Sequence, residues 1–593
     1  MQTAIAHLRD ADLPRGSIQL HRRRLIRVLS PSSIADSRGN GCMEFNLAQV
    51  HDAVSQAVPE RECIVWRDRR LTYAQVAERT NRLANHLLRQ GLGQRTPRAS
   101  LAGHESGQSH LACYLHNGNE YLEAMLGSYK ARVAPINVNY RYVAEELSYL
   151  LTDAGAEAVI FHSAFAARLA EVRPHLPRLR VLLQVDDGTG APLLDGAEWY
   201  EEALAAAAPT PPAVEHSPDD LYILYTGGTT GMPKGVLWRQ ADIFVAAMGG
   251  RNLATGAEWE SLDEVVEAAI NGGARLLPAP PFMHGAGHWL AFNAFAGGNT
   301  VCIQNDTVGF DADDIWRTIE REQVNILLIV GDAFGRPLVD QLEATMAAPD
   351  AYNVSSLLMV VSGGAPLNSS IKDRWLAQLP TAMVMDAVGA SETGSQMSQM
   401  SAAGKSASTG TFTPGPGAAI VSEDLSTALE AGHAETGWLA QRGRVPLGYL
   451  GDADKTDRTF PVIDGIRYAV PGDRARLTAA GIIELYGRDS ATINSGGEKI
   501  FAEEVEQALA HHPDVYDVVC AGRPSERWGQ EVVAIVQLKS GATATEADLL
   551  AIAGSHVARY KLPKAFVMVD QIMRSPAGKA DYRWAKEQAS AAH

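Results

Sequence analysis

The sequence predicts an α/β protein, with a large N-terminal layered α/β domain joined by a hinge to a small α+β C-terminal domain. Three observations carry that expectation. The chain has 593 residues, 46% of them hydrophobic, enough for large cores and more than one domain. From Asn46 onward, short apolar runs alternate with helix-like segments, the pattern of strands and helices stacked in layers. After Tyr486-Gly487-Arg488-Asp489-Ser490 the pattern changes, and the remainder has the size of one small domain.

Along the chain, residues 1–42 hold Arg22-Arg23-Arg24, Arg27 and several serines but no long apolar stretch. They are expected to be a loose basic extension, or to reflect a start assigned too early. They lack the apolar segment of a secretory signal. Cys63–Trp66 reads as a strand. Thr72 to Gln90 reads as a helix: Thr72 and Gln75 form a capping box, Val76, Leu83 and Leu87 share one face, and Gly91 stands where a helix stops. Further strands are expected at residues 158–161, 181–185, 326–330 and 357–361. Ala203–Pro212 reads as a surface connection. In the small unit, a helix runs from Ala502 to about His511. Strands follow at Val515–Cys520 and Glu531–Leu538, and Thr545 and Asp548 cap a helix through Ile552. The expected domains are therefore 43–487 and 488–593, after the extension 1–42.

Composition excludes several classes. A formal net charge of -17 argues against bulk nucleic-acid binding, so anionic ligands need local cations and backbone N–H groups. Cys42, Cys63, Cys113, Cys302 and Cys520 form no CxxC pair, so neither a zinc site nor a disulfide framework is indicated, which fits the cytoplasm. No run of eighteen apolar residues can span a membrane.

The chemistry gathers in a few loops. The buried strand Leu221–Tyr225 empties into Thr226-Gly227-Gly228-Thr229-Thr230-Gly231-Met232-Pro233-Lys234-Gly235. Glycines let backbone N–H groups approach an anion, the threonines add hydroxyl donors and Lys234 adds charge, so this segment is expected to hold phosphates. Pro233 before the lysine separates it from a Walker loop. Ser362-Gly363-Gly364-Ala365-Pro366-Leu367 follows another strand, and small residues there leave room for a flat ligand. Then come Asp386-Ala387-Val388-Gly389-Ala390-Ser391-Glu392-Thr393, Pro471-Gly472-Asp473, Ser495-Gly496-Gly497-Glu498-Lys499-Ile500 and Arg574-Ser575-Pro576-Ala577-Gly578-Lys579.

In this order the segments resemble the motifs of the adenylate-forming superfamily, which includes acyl-CoA synthetases, firefly-type luciferases and the adenylation domains of peptide synthetases. The resemblance covers nearly everything from Met43 onward. It implies ATP, Mg²⁺ and coenzyme A, the last as co-substrate. It assigns the nucleotide to Thr226, Gly227, Gly228, Thr229, Thr230, Lys234, Gly364, Ala365, Asp386, Ala387, Val388, Ser391, Asp473 and Arg488. Glu392 would hold the metal and Ser391 the α-phosphate, while Asp473 and Arg488 would bind the ribose. Ser495, Gly496 and Gly497 would line the coenzyme A tunnel, Ser490 beside Asp489 would be the hinge, and Lys579 would be the catalytic lysine. Val388 departs from the pattern, since the family commonly has tyrosine there.

On the substrate side, Pro280–Trp289 resembles the acyl-pocket segment, with His284 placed near the carboxylate as a catalytic candidate. No aspartate stands there to pair an amino group. Gly285, Ala286 and Gly287 are expected to leave volume, walled by Met283, Trp289 and Phe334. Segments 331–340, 493–499 and 575–584 resemble the actinobacterial acyl-CoA ligases of steroid side-chain acids and long fatty acids. The resemblance thus implies an ATP-dependent, AMP-forming acyl-CoA ligase for an apolar carboxylate. Its partners are small molecules, with no nucleic acid and no membrane-spanning segment, and a homodimer stays open. The alternatives are an acyl-AMP ligase that loads a carrier protein and a catalytically silent acyl or nucleotide sensor.

Overall fold

The computed structural model describes residues 44–226, 232–252, 255–346, 351–404, 408–495, 498–525, 528–575 and 578–591. The extension 1–42 lies outside them. Among the described residues three sheets organise the chain, of fifteen, eight and five strands.

The first strand, β1 (Glu62–Trp66), and the helix α1 (Tyr73–Arg89) form as the sequence predicts. The Thr72 side chain accepts the Gln75 N–H and the Gln75 side chain accepts the Thr72 N–H, a complete capping box. Val76, Leu83 and Leu87 are buried, and Gly91 takes φ +71° just past the end.

The eight-stranded sheet carries β2 (Leu221–Thr226) and β3 (Lys234–Arg239), an antiparallel pair in which Thr226 faces Lys234. β3 also pairs with the short strand Gly448–Tyr449. The other side of β2 joins parallel strands at 134–137, 110–114, 158–162 and 181–185. Almost every residue of these strands is buried, on both faces of the sheet, so they read as nearly unbroken apolar runs.

The helix α2 (Gly285–Ala296) follows, and the large sheet then contributes β4 (Ile326–Ile329), α3 (Gly331–Thr345), β5 (Met359–Gly363) and β6 (Met383–Ala390). β4, β5 and β6 are parallel neighbours. The expected strand at 357–361 is shifted: Leu357 and Leu358 precede it and Gly363 ends it. Beyond β6 the sheet turns antiparallel and reaches β7 (Asp473–Leu477) and β8 (Ile483–Arg488), where Asp473 faces Arg488. An α/β sheet binds ligands at the carboxyl ends of its parallel strands, and the ends of β2, β5 and β6 carry the expected phosphate and nucleotide motifs.

After Arg488 a short turn, Asp489–Ala491, leads into the five-stranded sheet at Thr492. That sheet contains β9 (Val515–Ser525) and β10 (Gly529–Leu538), packed by α4 (Ala502–Ala510) and α5 (Glu546–Gly554). Val505, Leu509, Val518, Cys520, Val532 and Leu549 close a core separate from those of the large domain. Thr545 and Asp548 cap α5 reciprocally. The result is a large layered α/β domain followed by a small α+β domain.

Candidate active site

The phosphate-loop residues Gly227, Gly228, Thr229 and Thr230 lie outside the described residues, as do Gly496 and Gly497. The two ends of the phosphate loop are well placed. Lys234 Nζ stands 3.2 Å from Asp153 Oδ1, and the Tyr225 hydroxyl donates to Asp153 Oδ2 at 2.8 Å. Burial alone would lower the Lys234 pKa, but the hydrogen bond and charge of Asp153 hold it above the ordinary value.

At the end of β5, Gly364 takes φ +86°, and among the described residues only Val330 comes within 4 Å of a Cβ built there. The backbone is thus bare on that side, as a flat ligand requires. Ala387 pairs with Gly363 across β6. Asp386 is buried, and its carboxylate is already engaged by Lys372 at 2.5 Å. Burial raises the Asp386 pKa and the Lys372 charge opposes the rise. Val388 packs against the cluster of Met397, Phe412 and Ile420.

The turn after β6 is fixed from three sides. Thr393 Oγ1 accepts the Ala390 N–H at 2.9 Å. Trp238 Nε1 donates to the Ser391 carbonyl at 2.8 Å. The Tyr449 hydroxyl donates to Glu392 Oε1 at 2.6 Å, which orients the carboxylate and leaves its second oxygen for another partner. Burial and the neighbouring Glu392 charge raise the Tyr449 pKa, so it remains a donor. A single oriented carboxylate suits Mg²⁺, which usually takes one or two carboxylates and fills its octahedron with phosphate oxygens and water.

Asp473 and Arg488 pair at 3.0 Å, and Arg488 Nη1 donates to the Pro471 carbonyl at 2.8 Å. Burial raises the Asp473 pKa; Arg488 opposes this and the Glu392 charge adds to it. Lys579 reaches the same centre from the small domain. It keeps contact with water, yet protein surrounds it closely enough that burial, with the Arg488 charge, lowers its pKa, while Glu392 and Asp473 pull it back up. A lysine that feels the charges of two carboxylates and an arginine can bridge a carboxylate substrate and a phosphate.

The turn that carries Lys579 is tightly tied. The Ser575 N–H donates to the Lys579 carbonyl and the Gly578 N–H to the Ser575 carbonyl, both at 2.8 Å. Gly578 takes φ +71°, and a Cβ there would stand 2.9 Å from Ala333 Cβ of α3. Only glycine lets the tip of this turn press against the large domain.

His284 precedes α2. Burial and then the Lys579 ammonium push its pKa down to about 4, with His288 and Arg141 adding to the effect. Its imidazole is therefore neutral near pH 7, and its buried Nε2 has no partner among the described residues. Behind it, His288 Nδ1 stands 2.7 Å from the Phe282 carbonyl and must donate to it. His288 Nε2 then accepts the Tyr222 hydroxyl at 2.6 Å, and the Tyr222 oxygen accepts Trp289 Nε1 at 2.9 Å. This relay fixes the Trp289 ring.

The expectation that Gly285 and Gly287 leave open volume fails. A Cβ on Gly287 would stand 2.9 Å from the Pro280 and Pro281 carbonyls, and one on Gly285 would stand 3.0 Å from the Trp289 ring. The glycines serve close packing, because backbone and indole already fill the space their side chains would take. Met283 is buried in the core and Phe334 packs edge-on to Phe310, ring centroids 5.0 Å apart.

Several site residues have no motif of their own: Asp153, Trp238, Lys372 and Tyr449. A carboxylate ending an apolar-faced helix, at Asp153, is the faint signal available for the first.

Comparison with known proteins agrees with this geometry. Residues 51–450 match the AMP-binding enzyme family and residues 504–579 match the AMP-binding enzyme C-terminal domain. The chain is 58% identical to the medium-chain acyl-CoA ligase Mig of Mycobacterium avium, over 92% of this chain and 98% of that one. It is 40% identical to the 3-oxocholest-4-en-26-oate–CoA ligase of Rhodococcus rhodochrous, over 92% and 96% of the two chains. Among solved structures, ATP-bound MatB from Rhodopseudomonas palustris superposes with a TM-score of 0.75 at 23% identity, covering 93% of this chain and 99% of that one. With a family match across most of the large domain, a second across the small one, and a close relative aligned nearly end to end, the chain belongs to the AMP-binding enzyme family.

Proposed function

We propose that this AMP-forming acyl-CoA ligase activates a medium- or long-chain fatty acid in preference to a steroid side-chain acid. The ligase class rests on the family and on relatives that are acyl-CoA ligases over nearly their whole length. The acid preference rests on the higher identity to the medium-chain ligase, 58% against 40%. It rests also on an acyl segment whose glycines are packed shut and whose Trp289 is held by Tyr222.

The observation that carries the mechanism is the docking of the Lys579 turn on the large domain, where Gly578 presses on Ala333 and Val330, with Lys579 inside the field of Glu392, Asp473 and Arg488. The substrate carboxylate attacks the α-phosphorus of ATP in line, forming the acyl–phosphate bond and releasing pyrophosphate. Lys579 holds the attacking carboxylate against the α-phosphate and offsets charge as it grows, Lys234 and Thr226 hold the outer phosphates, and Asp473 with Arg488 holds the ribose. Glu392, oriented by Tyr449, would hold Mg²⁺, whose charge screens the phosphates when bound. His284, neutral and with Nε2 unpaired, presents a hydrogen-bonding atom beside Lys579 without adding charge.

In the second half-reaction the coenzyme A thiolate attacks the acyl carbon, the thioester forms and AMP leaves. The small domain, residues 488–593 in this reading, turns about Ser490 to exchange Lys579 for the Ser495–Gly497 segment. The reaction is placed in the cytoplasm, where ATP and coenzyme A are drawn from common pools; the buried cysteines Cys63, Cys113, Cys302 and Cys520 are free thiols, in keeping with that compartment. No described helix is long and apolar enough to cross a membrane.

Thioester formation with Mg·ATP, coenzyme A and a panel of carboxylates, read by mass spectrometry, tests the reading. Dodecanoyl-CoA formed well ahead of the steroid thioester supports it. A steroid preference reverses the ranking of acids, and an acyl-adenylate that never passes to coenzyme A would replace the ligase with a carrier-loading enzyme.

A further inference from the structure

Resting on the two-step reading above, a contact far from the reacting atoms gains a role. Arg336 lies on α3 of the large domain and is nearly buried, 8% exposed. Its guanidinium carbon sits 5.0 Å from the ring centroid of Tyr516, on β9 of the small domain. Asp332, one turn back on α3, stands 3.5 Å from Arg336. The Asn368 backbone N–H donates to the same carboxylate at 2.8 Å, so the arginine is anchored at its root. Next to Tyr516, Asp517 takes a bidentate pair from Arg574, at 2.7 and 2.6 Å. Arg574 Nη1 in turn donates to the Gly578 carbonyl at 3.1 Å. Gly578 is the residue pressed against Val330 and Ala333 of the large domain, and Lys579 follows it.

These contacts form one line. It runs from the anchored face of α3 through Tyr516 to Asp517, then through Arg574 to the turn that presents Lys579. A bidentate guanidinium–carboxylate pair fixes direction as well as distance. The Arg336–Tyr516 contact crosses the domains, so it exists only when the small domain is docked in this pose. We propose that Arg336, acting on Tyr516, is a positioning residue for the adenylation half-reaction: it clamps the small domain so that the Asp517–Arg574 pair seats Lys579 among Glu392, Asp473 and Arg488. The clamp lets go for the thioester step, in which Lys579 has no part. Segment 331–340 thus meets the Lys579 turn in space although more than two hundred residues separate them.

The test uses the full chain and separates the two steps. Dodecanoate-dependent ATP–pyrophosphate exchange reads adenylation; single-turnover thioester formation from synthetic dodecanoyl-adenylate reads the second step. Arg336→Ala and Tyr516→Ala should each slow exchange about tenfold, in the range for a desolvated cation over an aromatic face. The second step should stay within about twofold of the wild type, since no contact of the clamp serves it. Tyr516→Phe keeps the ring face and should restore exchange. The double alanine variant should lose no more than either single one, because both remove one interaction.

Equal losses in both half-reactions would make the contact general interdomain packing and overturn the proposal, as would unchanged exchange in Arg336→Ala, a Tyr516→Phe as slow as Tyr516→Ala, or losses that multiply in the double variant. An intact second step in the same preparation certifies the fold. Failure of the wild type to exchange pyrophosphate with any acid sinks the ligase reading itself, and this proposal with it.

Discussion

At the scale of single residues, the centre is a set of charges held in a narrow balance. Burial and the Arg488 charge press the Lys579 pKa below its ordinary value, while Glu392 and Asp473 restrain the shift. Lys579→Ala should lower acyl-adenylate formation about a hundredfold or more, the scale of removing one preorganised electrostatic donor. Thioester formation from supplied adenylate should survive, and pyrophosphate release with single-turnover thioester assays would show whether it does. Tyr449 acts less directly. Removing its hydroxyl leaves Glu392 free to rotate, so Tyr449→Phe should raise the Mg²⁺ concentration for half-maximal activity by about three- to tenfold, the net worth of one ordinary hydrogen bond. A magnesium titration with an unchanged requirement would remove the tyrosine from the site.

The same residues mark what one-dimensional reading can reach. The glycines, threonines and lysine of the Lys234 loop announce anion chemistry by their composition, whereas Glu392, Asp473 and Lys579 are legible only through the resemblance of their segments to superfamily motifs. Tyr449 and Glu392 are 57 positions apart, and Lys234 and Asp153 are 81 apart. Neither partner stands in a local pattern, because a side chain that only orients another needs no neighbour of its own kind in sequence. Lys372 and Asp386 are closer, 14 apart, but their pairing depends on a helix folding back over β6, which the residues between them do not spell out.

At the scale of elements, alternation and caps predicted the strands and helices because their causes are local: apolar period, Ser/Thr/Asp caps, glycine stops. The glycines of the acyl segment show where local cause ends. A glycine records that a side chain is absent and not what occupies its place. At Gly287 the occupants are the Pro280 and Pro281 carbonyls. Gly287→Ala should therefore destabilise the fold by about 1–3 kcal/mol, as overpacking does, and calorimetry would register it. The order of preference among acids should hold in whatever activity remains. A variant of wild-type stability with a shortened chain preference would return this glycine to the pocket wall.

At the scale of the whole molecule, one carboxyl sits where the two domains meet. Glu503 of α4 lies against Gly487, its carboxyl 2.6 Å from where a Cβ would be. Burial, then the charges of Glu506 and Asp473, push its pKa up to about 8 against the restraining Arg488. Glu506 behind it is pushed up to about 7, chiefly by burial. A carboxyl whose pKa is raised by folding binds its proton more tightly in the docked state, so its contribution to stability is full below the ordinary carboxyl value of 4.5 and is lost as pH climbs to about 8. Glu503→Gln, which mimics the protonated form, should flatten the fall in melting temperature between pH 6 and 8. A wild type and variant with parallel profiles would assign the pH dependence elsewhere.

The short strand Gly448–Tyr449 has one more consequence. It is hydrogen-bonded to β3, whose first residue is Lys234, and its tyrosine holds Glu392. In the proposed mechanism, the grip on the outer phosphates and the grip on the metal therefore hang from one piece of backbone. Whatever draws Lys234 away from Asp153 also tugs the strand that aims Glu392. Nucleotide and magnesium should then bind as linked ligands, and titrating each in the presence of the other should give the same factor both ways, as thermodynamic reciprocity demands.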